Sequence, residues 1–473
     1  MCENCTRRDF LCATSSGALL LGGATLGDGA TPPPPRPEKV NIAVLFAGNP
    51  VPADRSWGVC DKEISGMEKK LKRIEDRLRN VRFVVGRARN PSEARAVLQK
   101  AGSEAPVIAV PLCIGGLLRV SRFLLESGRP LAVFAPPASG HDWMYPYRWR
   151  SQGKAVTLFP SSSYEELERA ARLLRVIPLL KHTRALVFEP LRGTAPARSP
   201  QKIKERLGAE LVVIPQSRFD KLMEKIAPKD VEAEAERWIK GAARIIEPKR
   251  EDVLKAARVS LALQRLVEEE NAQGLAVGTC MGWLSRGFPC LGFTRLRDRL
   301  IPASCEGDMD SLLTMLIFGY AFDIPGFQGN NTFDTAKNAC WTAHCVGPLK
   351  MDGPNGPEAP YLLRSHSEIG AGVVPEIQYR IGQKITRTKL INLDTLLIST
   401  GTIIEVPRKS FRACRTQIVT GVRNASAMAR NWGGGVLEGD MMTLLHRVVF
   451  YGDHLESARH LCDLLNWRFV EEG

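Results

Sequence analysis

The residues with the most chemical potential lie in the stretch Ile301–Pro348. A short apolar run there ends in Cys305-Glu306-Gly307-Asp308, and Met309, Leu312, Leu313, Leu316, Ile317 and Tyr320 follow at three- and four-residue intervals. That spacing predicts a helix. His344-Cys345 closes the stretch after a second strand-like run. Two carboxylates at a strand-to-helix junction, with an imidazole returning later, suit a divalent metal or an acid–base pair. The same residues also have a plain structural reading. Asp308 caps a helix whose positive N-terminal end favours an acid, and a histidine beside a cysteine sits in a core.

The run CEGDMDSLLTMLIFGYAFDIPGFQGN followed by AHCVGP resembles the superfamily of L-fucose and L-arabinose isomerases. LLHRVVFYGDHLESARHLCDLLNWRFVEE is similar to that superfamily's closing strand and last helix, and the similarity covers roughly Gly274 to Glu472. The resemblance implies an aldose–ketose isomerase using Mn²⁺ or a similar hard divalent ion, with carboxylates moving a proton between C1 and C2 through an ene-diol. On this reading Glu306 and Asp308 are the catalytic and metal-binding acids, either of them matching the family's second acidic position. His446 matches the C-terminal metal ligand and His344 a site-lining histidine. The substrate is a small sugar, a hexose or pentose, and the assembly a homo-oligomer of trimer or hexamer type. The N-terminal domain would help close a neighbouring subunit's site.

One departure from the family pattern bears on activity. The superfamily has a first carboxylate roughly two dozen residues before the second. Here no acid lies between Glu270 and Asp298, and Cys280-Met281-Gly282-Trp283 occupies the expected place. Losing one member of an acid–base pair costs on the order of 10²–10⁴ in rate. Three outcomes are open: isomerisation with a substitute such as Glu438, sugar binding without turnover, or other chemistry with Cys280 in the pocket. The alternative to an active isomerase is therefore a catalytically silent or divergent sugar-binding relative. Trp283 is expected to line the site, as is Trp432 in Asn431-Trp432-Gly433-Gly434-Gly435, where glycines allow close approach of a ligand.

The elements around these residues read as two Rossmann-like α/β domains with parallel sheets, then a C-terminal antiparallel barrel or sandwich; the resemblance implies a β-barrel-like domain there. Strand-like runs KVNIAVLFAG, VRFVVGRA, APVIAVPLC and RPLAVFAPP alternate with amphipathic stretches, which implies right-handed crossovers. We place the N-terminal α/β domain at 39–160, the central one at 161–348 and the β-rich one at 349–473. No GxGxxG or GxxxxGK[ST] follows the first strand. In GHDWMYPYRWRSQG, the residues Trp143, Tyr145, Tyr147 and Trp149 at period two suggest an edge strand with one aromatic face. It would serve either as a packing or interface hairpin or as a sugar-stacking surface carrying Trp143.

Composition narrows the classes. The chain has 473 residues, 44% hydrophobic and 25% charged, with no apolar run of the ~18 residues that a membrane span needs. Residues 1–38 hold Arg7-Arg8, a short apolar stretch and the prolines at 32–35 and 37, the form of a twin-arginine export signal followed by a stiff linker. Export by the twin-arginine route to a periplasmic or other extracytoplasmic location, with no lasting membrane anchor, is the expectation. The net charge of +14 comes from basic residues interleaved with glutamates, as in LKRIEDRLRN, so nucleic-acid binding is not expected. Nine cysteines lie beyond the signal, an odd number that argues against a disulfide framework.

Overall fold

The computed structural model describes residues 39–407, 413–436 and 438–473, which belong to one compact unit. The twin-arginine segment and proline run lie outside the described residues. Strands β1 (Val40–Ala47), β2 (Val81–Ala88), β3 (Val107–Pro111), β4 (Leu131–Phe134) and β5 (Val156–Phe159) form a parallel sheet in the order β2-β1-β3-β4-β5. The connecting helices bury one stripe each. Asp61–Leu78 turns Ile64, Met67, Leu71, Ile74 and Leu78 inward at helical spacing.

A second parallel sheet repeats the pattern. It contains β6 (Arg184–Phe188), β7 (Glu210–Val213), β9 (Gly274–Val277) and β10 (Ala303–Cys305) in the order β10-β9-β6-β7. The two-residue β8 (Arg244–Ile245) leaves this sheet and pairs with β13 (Tyr361–Arg364), which also pairs with β14 (Val374–Ile377). In both parallel sheets the strand order reverses between the first and third strands, and ligands of such sheets sit beyond the carboxyl ends there.

The remaining strands are β11 (Phe327–Asp334), β12 (Ala339–His344), β15 (Lys384–Ile391), β16 (Thr395–Glu405), β17 (Thr416–Gly421), β18 (His446–Tyr451) and β19 (Arg468–Glu471). They form an antiparallel-rich sheet in the order β15-β18-β11-β12-β17-β16-β19, with β19 parallel to β16. β15 also pairs with β16 along its length, so the chain of pairings returns to its start. The final strand β19 was not anticipated, because RFVE after the last helix is too short to read as an element by periodicity.

The aromatic edge strand is corrected. Asp142–Met144 is a 3₁₀ turn and Pro146–Ser151 a helix, with Pro146 in its first turn. Proline's fixed φ favours that position, which outweighs the period-two aromatic pattern. Trp149 is buried and stacks on Tyr145 with ring centres 5.9 Å apart, while Trp143 and Tyr147 stay exposed.

One helix ties the layers together. Met309–Phe322 is apolar nearly all round and packs against the helix Glu165–Lys181, β15 and β18. Its start fixes the candidate site.

Candidate metal centre

Glu306 and Gly307 make the turn between β10 and this helix, and both have positive φ, 57° and 67°. A Cβ on Gly307 would lie 2.3 Å from Pro190 O, so only glycine fits there. Glu306 has no such freedom, and a non-glycine residue held in the left-handed region is strain of the kind found at functional sites. The turn lifts the Glu306 carboxylate off the carboxyl end of β10, toward β18 and β12.

His446 opens β18 and is fully buried. Its Nε2 lies 3.3 Å from Glu306 Oε2, and its Nδ1 lies 2.9 Å from Asp308 Oδ2. His344 closes β12, with its ring centre 5.4 Å from that of His446. The Nδ1 atom of His344 is buried and has no hydrogen-bond partner among the described residues. One ligand atom each from Glu306, His344 and His446 lie within 4.8 Å of one another, the one such group among the described residues.

Asp308 has a different occupation. It caps the helix by accepting from Ser311 N at 3.0 Å, and its Oδ2 accepts from Ser311 Oγ at 2.6 Å. The same oxygen takes the Lys389 ammonium at 2.9 Å, both side chains having no exposed surface. Lys389 is completed by donating to Met442 O at 2.6 Å. Burial alone would raise the pKa of Asp308, but Lys389 and His446 hold it below the usual carboxylate range.

Gln328 supports the other side. Its Oε1 accepts from Cys305 N at 3.0 Å and from Arg297 at 3.3 Å, and its amide nitrogen lies 3.1 Å from His446 Nδ1. Asp310, in the first turn of the helix, accepts from Thr194 N and Oγ1, each at 2.7 Å, and burial pushes its pKa up to about 7.

The two imidazoles differ electrostatically. Burial and the neighbouring His446 lower the pKa of His344 to about 4, so its ring is neutral at neutral pH. Burial also works against charge on His446, but hydrogen bonds to Asp308 and Glu306 outweigh it and raise its pKa. The pocket thus favours positive charge at His446 Nε2, whether a proton or a metal ion supplies it. One carboxylate and two imidazoles form a donor set for a first-row divalent ion. No family model matches the chain. No curated protein matches it either.

The remaining sequence candidates have other neighbours. Trp283 is buried in an apolar cluster, stacked on Phe219 at 4.9 Å and edge-on to Phe188 at 5.4 Å. Trp432 lies over the Arg447 guanidinium at 3.8 Å and donates to Leu444 O at 2.7 Å. Trp143 stands at the carboxyl edge of the first sheet, exposed. Glu438 is exposed, whereas Asp440 accepts from Gly193 N at 2.8 Å. Cys280 borders Glu306, and burial pushes its thiol up to about 12, so it stays protonated.

Lys389, Gln328 and Asp310 were not among the sequence candidates. The signal for Lys389 was present but ambiguous: Arg387 and Lys389 alternate with threonines in ITRTKLI, as on a solvated strand, yet both are fully buried.

Proposed function

We propose that this protein is a metal-dependent aldose–ketose isomerase-like protein acting through an ene-diol on an unidentified hexose or pentose, with Mn²⁺ the expected ion. The observation that carries the reading is the convergence of Glu306, His344 and His446 within ligand distance of one another. The isolated Nδ1 of His344 and the cation-favouring Nε2 of His446 fit a metal there. A bound divalent ion would grip two adjacent sugar oxygens and stabilise the oxyanion that develops during proton transfer.

The protein's own groups divide the remaining work. Asp308 holds the Nδ1 proton of His446, which leaves Nε2 as the ligand atom, the arrangement by which outer carboxylates orient metal-bound histidines. His344, kept neutral by burial, presents a lone pair without first losing a proton. Of the two acids, Glu306 is the one placed to move a proton on the sugar. Asp308 is committed to Lys389, His446 and the helix cap.

The same reading carries a barrel-like third domain, supported by the returning strand pairings, together with twin-arginine export and a trimeric or hexameric assembly. A catalytically silent or divergent sugar-binding relative is the second reading, favoured by one specific observation. Beside Glu306 stands the protonated thiol of Cys280, where a second carboxylate would be needed.

Metal analysis of the purified protein, paired with ketose detection across a panel of aldoses, separates these readings. Near-stoichiometric metal with ketose formation supports the isomerase. Stoichiometric metal and sugar binding without turnover supports the silent relative. Metal far below one per chain removes both metal-based accounts, and unchanged metal content in Glu306→Gln shows that the ligand set is wrong.

A further inference from the structure

β15 carries two buried cations on one face, and their surroundings differ sharply. Lys389 is matched by Asp308 and Met442 O. Arg387, two residues earlier and equally buried, makes one hydrogen bond among the described residues, from Nη2 to Thr342 Oγ1 at 3.2 Å. Its Nε and Nη1 have no partner there. Thr342 lies on β12, which is three strands from β15 in either direction around the circuit of pairings. The guanidinium therefore reaches across the space that the circuit encloses.

The neighbours of Arg387 in that space are also unsatisfied. Ser399 is its direct cross-strand partner on β16, so the two side chains share a face. Thr420 on β17 sits opposite Cys340, which lies on the same face of β12 as Thr342. Ser399 Oγ and Thr420 Oγ1 are buried without hydrogen-bond partners. The other cation in this region, Arg447, is neutralised by Glu472 in a two-pronged pair at 3.0 and 2.7 Å. One positive charge is left over.

Arginine cannot shed that charge by deprotonation, and a buried charge without a counter-charge is among the costliest arrangements in a fold. We propose that the interior of this strand circuit holds a small monovalent anion, of halide size, bound by Arg387 Nε and Nη1 with the Ser399 and Thr420 hydroxyls. Chloride is the natural occupant. The site is distinct from the Glu306–His344–His446 group and does not depend on what that group does.

The test uses the full-length protein. Crystals soaked in bromide are expected to show an anomalous bromide peak in contact with the Arg387 fork. In solution, chloride or bromide exchanged for gluconate at constant ionic strength should raise Tm saturably, and Arg387→Met should lose that dependence. If Arg387→Met does not fold, Ser399→Ala and Thr420→Val carry the same test, each weakening the halide response. Water density in place of bromide, or superimposable melting curves in chloride and gluconate for the wild type, would overturn the proposal.

Discussion

Replacing Asp308 with Asn tests the centre of the buried network while keeping side-chain volume and most of the helix cap. Asn still accepts from Ser311 N, so the roughly 1 kcal/mol of the cap is largely retained. What is lost is the charge facing Lys389, which has no exposed surface and, among the described residues, no other carboxylate as a hydrogen-bond partner. Removing one partner of a buried pair costs about 3–5 kcal/mol, because the other ion is left uncompensated. With its one carbonyl on Ser311 N, Asn turns its NH2 toward the Lys389 ammonium and recovers none of this, so we expect a loss of about 3–5 kcal/mol by denaturant titration.

The pH dependence adds a signed check on the same variant. Asp308 titrates below its unfolded value, so its contribution is present above the ordinary carboxylate range and is lost as pH falls through the folded value. Wild type and variant should therefore differ most at neutral pH and converge in strong acid. Lys389→Met in the Asp308→Asn background should recover at least about 1 kcal/mol, since contacting charges couple by about 0.5–3 kcal/mol. A loss below about 1 kcal/mol in the single variant, or a gap that stays constant down to low pH, would refute the reasoning.

Three further outcomes are expected. Glu247 is drawn down from 4.5 to about 2 chiefly by its hydrogen bonds to Arg364, so the stability it adds is complete above pH 4.5 and fades toward pH 2. Melting of Glu247→Gln across that range should begin below wild type and merge with it in acid. Trp283→Ala should cost about 3–5 kcal/mol in denaturant titration, as expected for a core aromatic, without altering metal content. Cys280→Ser should leave metal uptake unchanged in elemental analysis, because the ligand atoms that gather within 4.8 Å of one another come from Glu306, His344 and His446 and not from Cys280.

The alternating α/β layout was legible because each parallel strand is a short apolar run bounded by amphipathic helices, and local patterning alone specifies that arrangement. The junction Glu306–Asp308 was visible for the same reason: β10 ends and a buried helix begins within four residues. The division of labour between the two acids was not. It depends on Lys389, some eighty positions away and on a strand whose alternation imitates a solvated face. The aromatic turn failed for a local reason, Pro146 starting a helix where ring spacing suggested a strand. His344 and His446 meet only because β11 pairs with both β12 and β18, a register that no single segment announces.

The helix Leu455–Leu465 lies against β5, the edge strand of the first sheet. His460 meets Thr157 at 2.7 Å and stacks on Phe159 at 4.3 Å, while Asp463 pairs with Arg150 at 3.1 Å. The first sheet in chain order is thus sealed along one side by a helix about three hundred residues further on. A nascent chain stalled before residue 455 would carry an uncovered strand edge, open to pairing with another copy. Arrival of this helix, more than formation of any one layer, is the event that protects the edge of the first sheet.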